Sequence, residues 1–372
     1  MYKVLFITPS YKPAYIYGGP IYSTSGLAES LVKSDIDVEV YTTNANGAEN
    51  FKILNDNYVD GVKVKYFKRQ TKDHSHLSIG LLYHLWKNFN KYDSIHIHSW
   101  WNLVAVISLV ILKLKRAKNI ILSPRGMLSP YTINNSISKK LFHIIIGNYL
   151  LKGIKIHATS IDEYNKIQEL NRNYKISIIS NIIQLNTDNY QKDWSNEDLN
   201  ILYLSRIHPK KNIEAIFYAL SEFNFNFELN IIGDGDVKYI NQLKKLANNL
   251  NIEQNVKWIG VKYNEEKSYY FKKSDIFILT SQDENFANSV LESLSYKTPV
   301  IISIQVGLSN FVQKYGLGWI CNDAKCILKI LNEVFRDKDI LINKSENCLD
   351  AIQKEFDTKI LTNKYIRLYQ EL

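Results

Sequence analysis

Two loops of this 372-residue chain carry residue types whose spacing suits chemistry. The apolar run 199–204 leads into Ser205-Arg206-Ile207-His208-Pro209-Lys210-Lys211-Asn212, and a helical pattern follows. Two cations, Arg206 and Lys211, stand on a loop at a helix N-terminus, where fixed positive charge and free backbone N–H groups point the same way. That arrangement can hold a diphosphate; a solvated basic turn would read the same. The second loop, DENFANSVLESLSYKTPVI, follows the apolar run 276–280 and sets Glu284 two turns ahead of Glu292, which lies inside a helix. Carboxylates so placed can accept hydrogen bonds from hydroxyls at two points of one elongated ligand. Paired glutamates on an ordinary solvated helix face look alike. The third feature is His96-Ile97-His98, which puts two rings on one face of a strand. His98 lies nearer the carboxyl end of that strand and is the candidate for chemistry, whereas His96 reads as a structural histidine.

The elements that must position these residues alternate. Strands are expected at 4–8, 38–42, 95–98, 120–123, 154–158 and 177–179, separated by helical segments such as 103–115 and 139–150. A polar stretch without apolar periodicity, 186–200, reads as a linker. A second series of strands follows at 199–204, 229–232, 256–259, 276–280, 300–302 and 319–320, with helices at 213–223 and 239–249 among them. Strand–helix alternation implies parallel sheets covered on both faces. The fold class is therefore α/β, with two Rossmann-like domains facing across a cleft: 1–185, then 186–349. Residues 350–372 have helical spacing and are expected to pack back on the first domain. In such sheets ligands bind beyond the carboxyl ends of the strands.

Charge is divided unevenly between the halves. Residues 1–185 hold 23 Lys and Arg against 12 Asp and Glu, while residues 186–372 hold 23 against 25. No acid occurs from 94 to 161. Such asymmetry points to an anionic partner on the first half: nucleic acid, a membrane surface or a phosphorylated substrate. Helix-turn-helix and RNA-recognition patterns are absent, which disfavours nucleic acid. No GxGxxG follows a strand, which disfavours a dehydrogenase. Cys321, Cys326 and Cys348 are odd in number without metal-type spacing, and are expected as reduced thiols. The N-terminus MYKVLFITPSYKPAY reads as a strand and not a signal peptide, so a cytoplasmic location is expected. The apolar run 103–114 is too short to span a bilayer. It reads as a helix buried beside a sheet, with an interfacial helix as the alternative.

Taken together, Arg206…Lys211, Glu284…Glu292 and the trailing TPVI resemble the donor-site signature of the retaining GT-B glycosyltransferases of family four, the glycosyl transferases of group 1. The Gly18-Gly19 loop, the DSIHIH strand end, SPRGMLSP, IISN, IIGDGD and the Gly260 strand end fall in that family's order. The departures are Ala287 and Lys297, where the family commonly has Gly, and Ser180-Asn181-Ile182, where it has Pro-Asn-Gly.

The resemblance implies roles for these residues. Arg206 and Lys211 would bind the nucleotide diphosphate and stabilise it as a leaving group. Glu292 would accept the ribose hydroxyls, and Glu284 with the backbone around Phe286, Ala287, Asn288 and Ser289 would hold the donor sugar. Gly18 and Gly19 would let a loop approach the phosphate, and the base would lie near Gly233, Gly235 and Val261. His98 and Arg125 would serve the acceptor side, with Trp100 and Trp101 offering aromatic faces to a sugar. No metal and no cofactor beyond the nucleotide-sugar donor is expected. The acceptor would be a glycan, lipid-linked in a surface polysaccharide (O-antigen or capsule) pathway, at the inner face of the plasma membrane, met by the basic first domain. A nucleotide-sugar 2-epimerase and a non-catalytic sugar-binding protein remain open as alternatives.

Overall fold

The computed structural model describes residues 1–53, 58–134, 136–186, 188 and 190–371. Thr187 and Asn189 of the expected linker, and Leu372 of the tail, lie outside the described residues. The chain forms two compact units, Met1–Gln184 with Phe356–Leu372, and Leu185–Glu355.

The first unit is built on β1 (Lys3–Ile7), β2 (Asp37–Thr43), a two-residue hairpin of β3 (Ala45–Asn46) and β4 (Glu49–Asn50), then β5 (Tyr58–Val59), β6 (Val62–Phe67), β7 (Ser94–His98), β8 (Ile120–Ser123), β9 (Lys155–Ala158) and β10 (Lys175–Ile178). Its main sheet runs β10-β9-β8-β7-β1-β2-β6-β5 and is parallel except at β5/β6. Strands β7 and β8 are buried along their whole length, as strands covered on both faces must be. Strand β6 was not anticipated. Its sequence VKVKYF alternates, with Val62 and Val64 buried and Lys63 exposed, so it lacks the continuous apolar run that marks the central strands.

Helix Leu103–Leu114 buries Val104, Ala105, Ser108, Leu109, Ile111 and Leu112. Asn102 caps it by accepting from the Ala105 N–H at 2.8 Å. This is the buried helix expected beside a sheet. Among the described residues no helix is long and apolar enough to cross a membrane.

The C-terminal helix Thr358–Gln370 packs on the first unit by burying Leu361, Thr362, Tyr365, Leu368 and Tyr369. Its tyrosines reach polar groups beneath the helix: the Tyr369 hydroxyl lies 2.8 Å from His96 Nδ1, and Tyr365 Oη lies 3.1 Å from His157 Nε2. His96 Nε2 and His157 Nδ1 both sit 2.6 Å from Ser123 Oγ. His96 is thus a satisfied structural histidine, held by hydroxyls.

The second unit carries β11 (Leu199–Leu204), β12 (Phe227–Ile232), β13 (Val256–Gly260), β14 (Ile276–Leu279), β15 (Val300–Ile302) and β16 (Gly318–Ile320). All pair in parallel in the order β13-β12-β11-β14-β15-β16. The order reverses between β11 and β14. The carboxyl ends of these two strands are therefore the switch point at which sheets of this kind bind ligands.

Two expectations are corrected here. Residues 186–200 do not form a free linker: the Asn186 N–H donates to Ser295 Oγ at 3.2 Å, and buried Lys192 donates to Thr298 Oγ1 at 2.5 Å and to the Phe271 carbonyl at 3.1 Å. Polar side chains pin this strap to the second unit, so hydrophobic periodicity could not reveal it. Burial pushes the Lys192 ammonium down to about 7, against the opposing pull of Asp275. Cys321 and Cys326 are not reduced thiols but form a disulfide, their Cα atoms 5.4 Å apart. Cys321 leaves β16 and Cys326 lies in the first turn of helix Ala324–Arg336, so the strand-to-helix turn brings them together. Cys348, which made the count odd, is a buried free thiol.

Candidate functional site

In the second unit the predicted donor residues follow the carboxyl ends of β11, β12, β13 and β14. The Arg206 loop is held to the loop after β12 by the Ile207 N–H, which donates to the Asp234 carbonyl at 2.8 Å, and to its own strand by the Tyr203 hydroxyl, which donates to the Arg206 carbonyl at 3.0 Å. Gly233 and Gly235 are glycines for this reason. A Cβ on Gly233 would stand 2.0 Å from the Ser205 carbonyl oxygen, and one on Gly235 would stand 1.9 Å from that of Ile207. Their role is to let two backbones meet. Val261 lies exposed just after β13.

Further bonds stitch the β11 and β14 loops to each other. The Gln282 N–H donates to the Lys210 carbonyl at 2.8 Å, and Thr280 Oγ1 donates to the Asn212 carbonyl at 3.1 Å. Two ion pairs run alongside: Lys210 with Asp283 at 2.8 Å, and Lys211 in direct contact with Glu284. Glu284 is fixed by its own backbone, which bonds to Gln305 at 3.1 Å and to Gly307 at 2.9 Å. Glu292, on helix Asn288–Ser295, pairs with Lys267 at 2.6 Å. Arg206 is exposed, and its guanidinium has no hydrogen-bond or ion-pair partner among the described residues.

Both ends of helix Asn288–Ser295 depart from the usual residue choice. Ala287, at its N-cap, has φ 68°, and Lys297, just beyond its C-cap, has φ 52°. The Lys297 N–H bonds to the Leu294 carbonyl and the Thr298 N–H to that of Ser293, at 3.0 and 3.1 Å. This is the paired closure of a Schellman motif, in which glycine is the favoured residue. The left-handed backbone therefore persists at the two positions where the sequence departs from the glycines of the pattern it resembles. Phe286 is buried behind this turn, with Asn288 and Ser289 half-exposed at the helix start.

In the first unit, Gly18 has φ 68° and caps helix Gly19–Val32, whose first turn holds Pro20. His98 and Arg125 are brought together, with guanidinium Nη2 3.2 Å from His98 Nδ1. Arg125 also donates to Asn181 Oδ1 at 2.5 Å and to Ser23 Oγ at 3.0 Å. Because His98 Nδ1 accepts from Arg125, its proton resides on Nε2. That atom is buried without a partner. Burial, then His96 and Arg125, holds the His98 imidazole well below its usual pKa and hence neutral.

Trp100 corrects the acceptor-side expectation. It is fully buried in the core of the first unit, so neither face is open to a sugar. It packs into the core cluster that holds Val104, Leu109 and Leu128, with Phe142 beside it. Trp101 is half-buried, with its indole N–H committed to the Met127 carbonyl at 2.5 Å.

Residues 17–187 match the family described as Glycosyltransferase Family 4, and residues 186–354 match Glycosyl transferases group 1. The chain belongs to the group 1 glycosyltransferases. Among relatives, an uncharacterized 41.2 kDa protein of the cps region of Klebsiella pneumoniae is 24% identical over 298 residues, 76% of this chain and 80% of that protein. The lipopolysaccharide core biosynthesis glycosyltransferase LpsE of Rhizobium meliloti is 22% identical over 170 residues, 45% of this chain and 48% of the relative. Anabaena HepE, solved with UDP and glucose, superposes with a TM-score of 0.78 at 17% identity, covering 100% of both chains. The fold is GT-B.

For this glycosyltransferase, the sequence located Arg206, Lys211, Glu284 and Glu292 but missed the Lys210–Asp283 pair beside them and Lys267, the partner of Glu292. A signal was present for two of these. Lys210-Lys211 and Asp283-Glu284 are adjacent dipeptides of opposite charge, and strands β11 and β14 are neighbours.

Proposed function

We propose that this glycosyltransferase moves a sugar from a nucleotide diphosphate to a glycan acceptor with retention of anomeric configuration and without a metal. The observation that carries this reading is the exposed guanidinium of Arg206, without a partner among the described residues, on the same β11 loop as Lys211, whose pair with Glu284 joins the loops at the switch point of the second sheet. Arg206 and Lys211 hold the diphosphate, and the charge they supply stabilises it as it departs. Lys211 exchanges its carboxylate for phosphate oxygen, which frees Glu284 to accept hydroxyls of the donor sugar together with the backbone from Phe286 to Ser289. Glu292 accepts the ribose hydroxyls, Val261 lines the base, and Gly18 with Gly19 admits the phosphate to the first-unit loop. The acceptor hydroxyl attacks on the face the diphosphate leaves. Its oxygen bonds to the anomeric carbon as the bond to phosphate breaks, and a leaving phosphate oxygen takes the proton. His98, buried in the first unit, orients the guanidinium of Arg125, which serves the acceptor side.

The acceptor is lipid-linked, a surface-polysaccharide intermediate at the cytoplasmic face of a membrane, and the basic first unit meets that membrane. The kinship with a lipopolysaccharide core enzyme and with a protein of a cps region supports this acceptor class.

The test is a thermal-shift panel of nucleotide sugars on the wild type and Arg206→Ala, since a ligand of the folded state raises its melting point. One donor should shift the wild type and lose most of its effect on the variant, and NMR of the product should show the donor's anomeric configuration. Loss of one charge-stabilising donor should lower turnover ~100- to 1,000-fold. An Arg206→Ala enzyme with near-normal rates, or an inverted product, refutes the assignment. EDTA should leave activity unchanged; manganese-dependent rescue of an EDTA-treated enzyme refutes metal independence.

A further inference from the structure

Beyond the donor site, the first unit exposes an unusual helix. Residues 137–151 run through Ile137–Phe142, a π-helical turn His143–Gly147 and Asn148–Leu151. One side is anchored: His143, Gly147, Leu150 and Leu151 are buried, and Phe142 packs edge-on against Trp101. The other side carries Ile137, Leu141, Ile144, Ile145, Ile146 and Tyr149, all exposed, with Ile137 at 88% and Tyr149 at 74%. A π turn winds more residues per turn than an α turn, so three consecutive isoleucines stay on the outer side. Gly147 permits this turn, since a Cβ there would stand 2.9 Å from His143 Nδ1.

A contiguous apolar face of this kind on a soluble unit marks an interaction surface, and the surrounding charge identifies what it meets. Lys139 and Lys140 lie on the helix and Lys152 just beyond it, with no Asp or Glu from 94 to 161. Lys113 donates to the Lys152 carbonyl, which brings the end of helix Leu103–Leu114, followed by Lys115, Arg116 and Lys118, to the same region. Apolar side chains interleaved with cations fit the interface of an anionic bilayer, where the former enter the acyl boundary and the latter pair with headgroups. A protein partner of matching shape would need acids set among apolar residues, and a second copy of this chain would place lysines against lysines.

We infer that the outer face of residues 137–151 is the membrane-docking surface, with Ile137, Leu141, Ile144, Ile145 and Tyr149 inserted and Lys139, Lys140 and Lys152 on anionic headgroups. This rests on the reading that the basic first unit meets a membrane, and it names the element that does so. It also replaces the apolar run 103–114, whose long side is buried against the sheet, as the interfacial helix.

The full chain is sedimented with vesicles of phosphatidylglycerol and phosphatidylethanolamine, and with phosphatidylcholine vesicles as the uncharged control. The wild type should bind the anionic vesicles and release from them as salt rises. Lys139→Gln with Lys140→Gln should weaken binding about 5-fold per lysine. Ile144→Ser with Ile145→Ser should weaken it ~10-fold per residue, while melting temperature and nucleotide-sugar response stay unchanged because both side chains are exposed and lie outside the donor site. A wild type that binds no vesicle overturns both the membrane reading and this surface. Anionic binding retained by Ile144→Ser with Ile145→Ser overturns the surface alone. A lipid-free dimer that these two substitutions convert to a monomer overturns the proposal in favour of a second copy.

Discussion

Replacing Lys297 by Gly should stabilise the second unit, and the size of the effect follows from its backbone. Lys297 occupies the left-handed position of a Schellman closure, at φ 52°, where a side chain crowds the following carbonyl at a cost of about 1–2 kcal/mol. Glycine removes that cost but loses roughly 0.4–1 kcal/mol through the greater entropy of the unfolded chain. It also removes a cation near a helix C-terminus, worth about 0.3 kcal/mol when exposed. Lys297→Ala separates these contributions, because it keeps the strain and removes the charge. Glycine should exceed alanine by about 1 kcal/mol, a difference of ~2–4 °C in the melting temperature of a unit this size. Urea melting of both variants, followed by tryptophan fluorescence, provides the measurement. Equal stability of the two would show that the turn relaxes without Lys297, and would refute the claim that the helix carrying Glu292 is held in a strained closure.

Gly233→Ala should be severe, because its Cβ would overlap the Ser205 carbonyl. Gly316→Ala, with φ 65° and nothing within 4 Å, should cost only ~1 kcal/mol. Melting curves that rank the two alike would refute the packing role of Gly233, and the Gly233 variant should also lose donor binding as the Arg206 loop shifts. Glu284→Gln should weaken binding of the nucleotide-sugar donor while leaving binding of the corresponding free nucleoside diphosphate nearly intact, read by calorimetry; equal losses for both ligands would place Glu284 on the diphosphate instead. The buried imidazoles of His96, His98 and His157, the last pushed down to about 3 by burial, bind protons less readily folded than unfolded. The unfolded chain therefore gains protons first as pH falls below the ordinary histidine pKa, and stability present above it is lost. Linkage gives about 1.5 kcal/mol per histidine between pH 6.5 and pH 5. A first unit whose melting temperature is flat across that interval would show these rings to be protonated within the fold.

How far the molecule was legible in its sequence depends on which force placed each element. Central strands such as β1 and β14 are buried along Val4–Ile7 and Ile276–Leu279, so hydrophobic burial writes them as unbroken apolar runs, whereas β7 buries Ser94, His96 and His98 among its isoleucines. Strand β6 pairs through its backbone and shows one face to water, and the strap at 186–200 is held by Lys192 and Asn186. Hydrogen bonds to backbone and hydroxyl groups leave no periodic trace. The site divides in the same way. Arg206, Lys211, Glu284 and Glu292 follow strands and could be found by position. The pairings of Lys211 with Glu284 and Lys210 with Asp283 depend on β11 and β14 being neighbours, a fact of strand order that local sequence does not contain. Trp100 shows the opposite hazard, since its residue type suits a sugar face while its apolar surroundings hold it inside.

The two departures from the resembled pattern are explained by the same separation of backbone from side chain. Glycine at positions 287 and 297 is one solution to a left-handed backbone, and the fold imposes that backbone whichever residue is present. At 297 the closure is fixed by two bonds to carbonyls at the helix end, and at 287 by the Val290 N–H, which donates to the Ala287 carbonyl at 3.0 Å. Burial of Phe286 and Val290 on either side adds apolar contact that favours the same turn. Each contact is worth about as much as the strain it opposes. The helix can therefore present Asn288, Ser289 and Glu292 in register without glycine, and the cost appears in stability. Restoring both glycines should raise the melting temperature and leave the position of Glu292 unchanged. An unaltered KM for the nucleotide sugar in the doubly substituted enzyme is the expected result, and a large change would mean that the side chain of Ala287 or Lys297, and not the backbone alone, touches the donor.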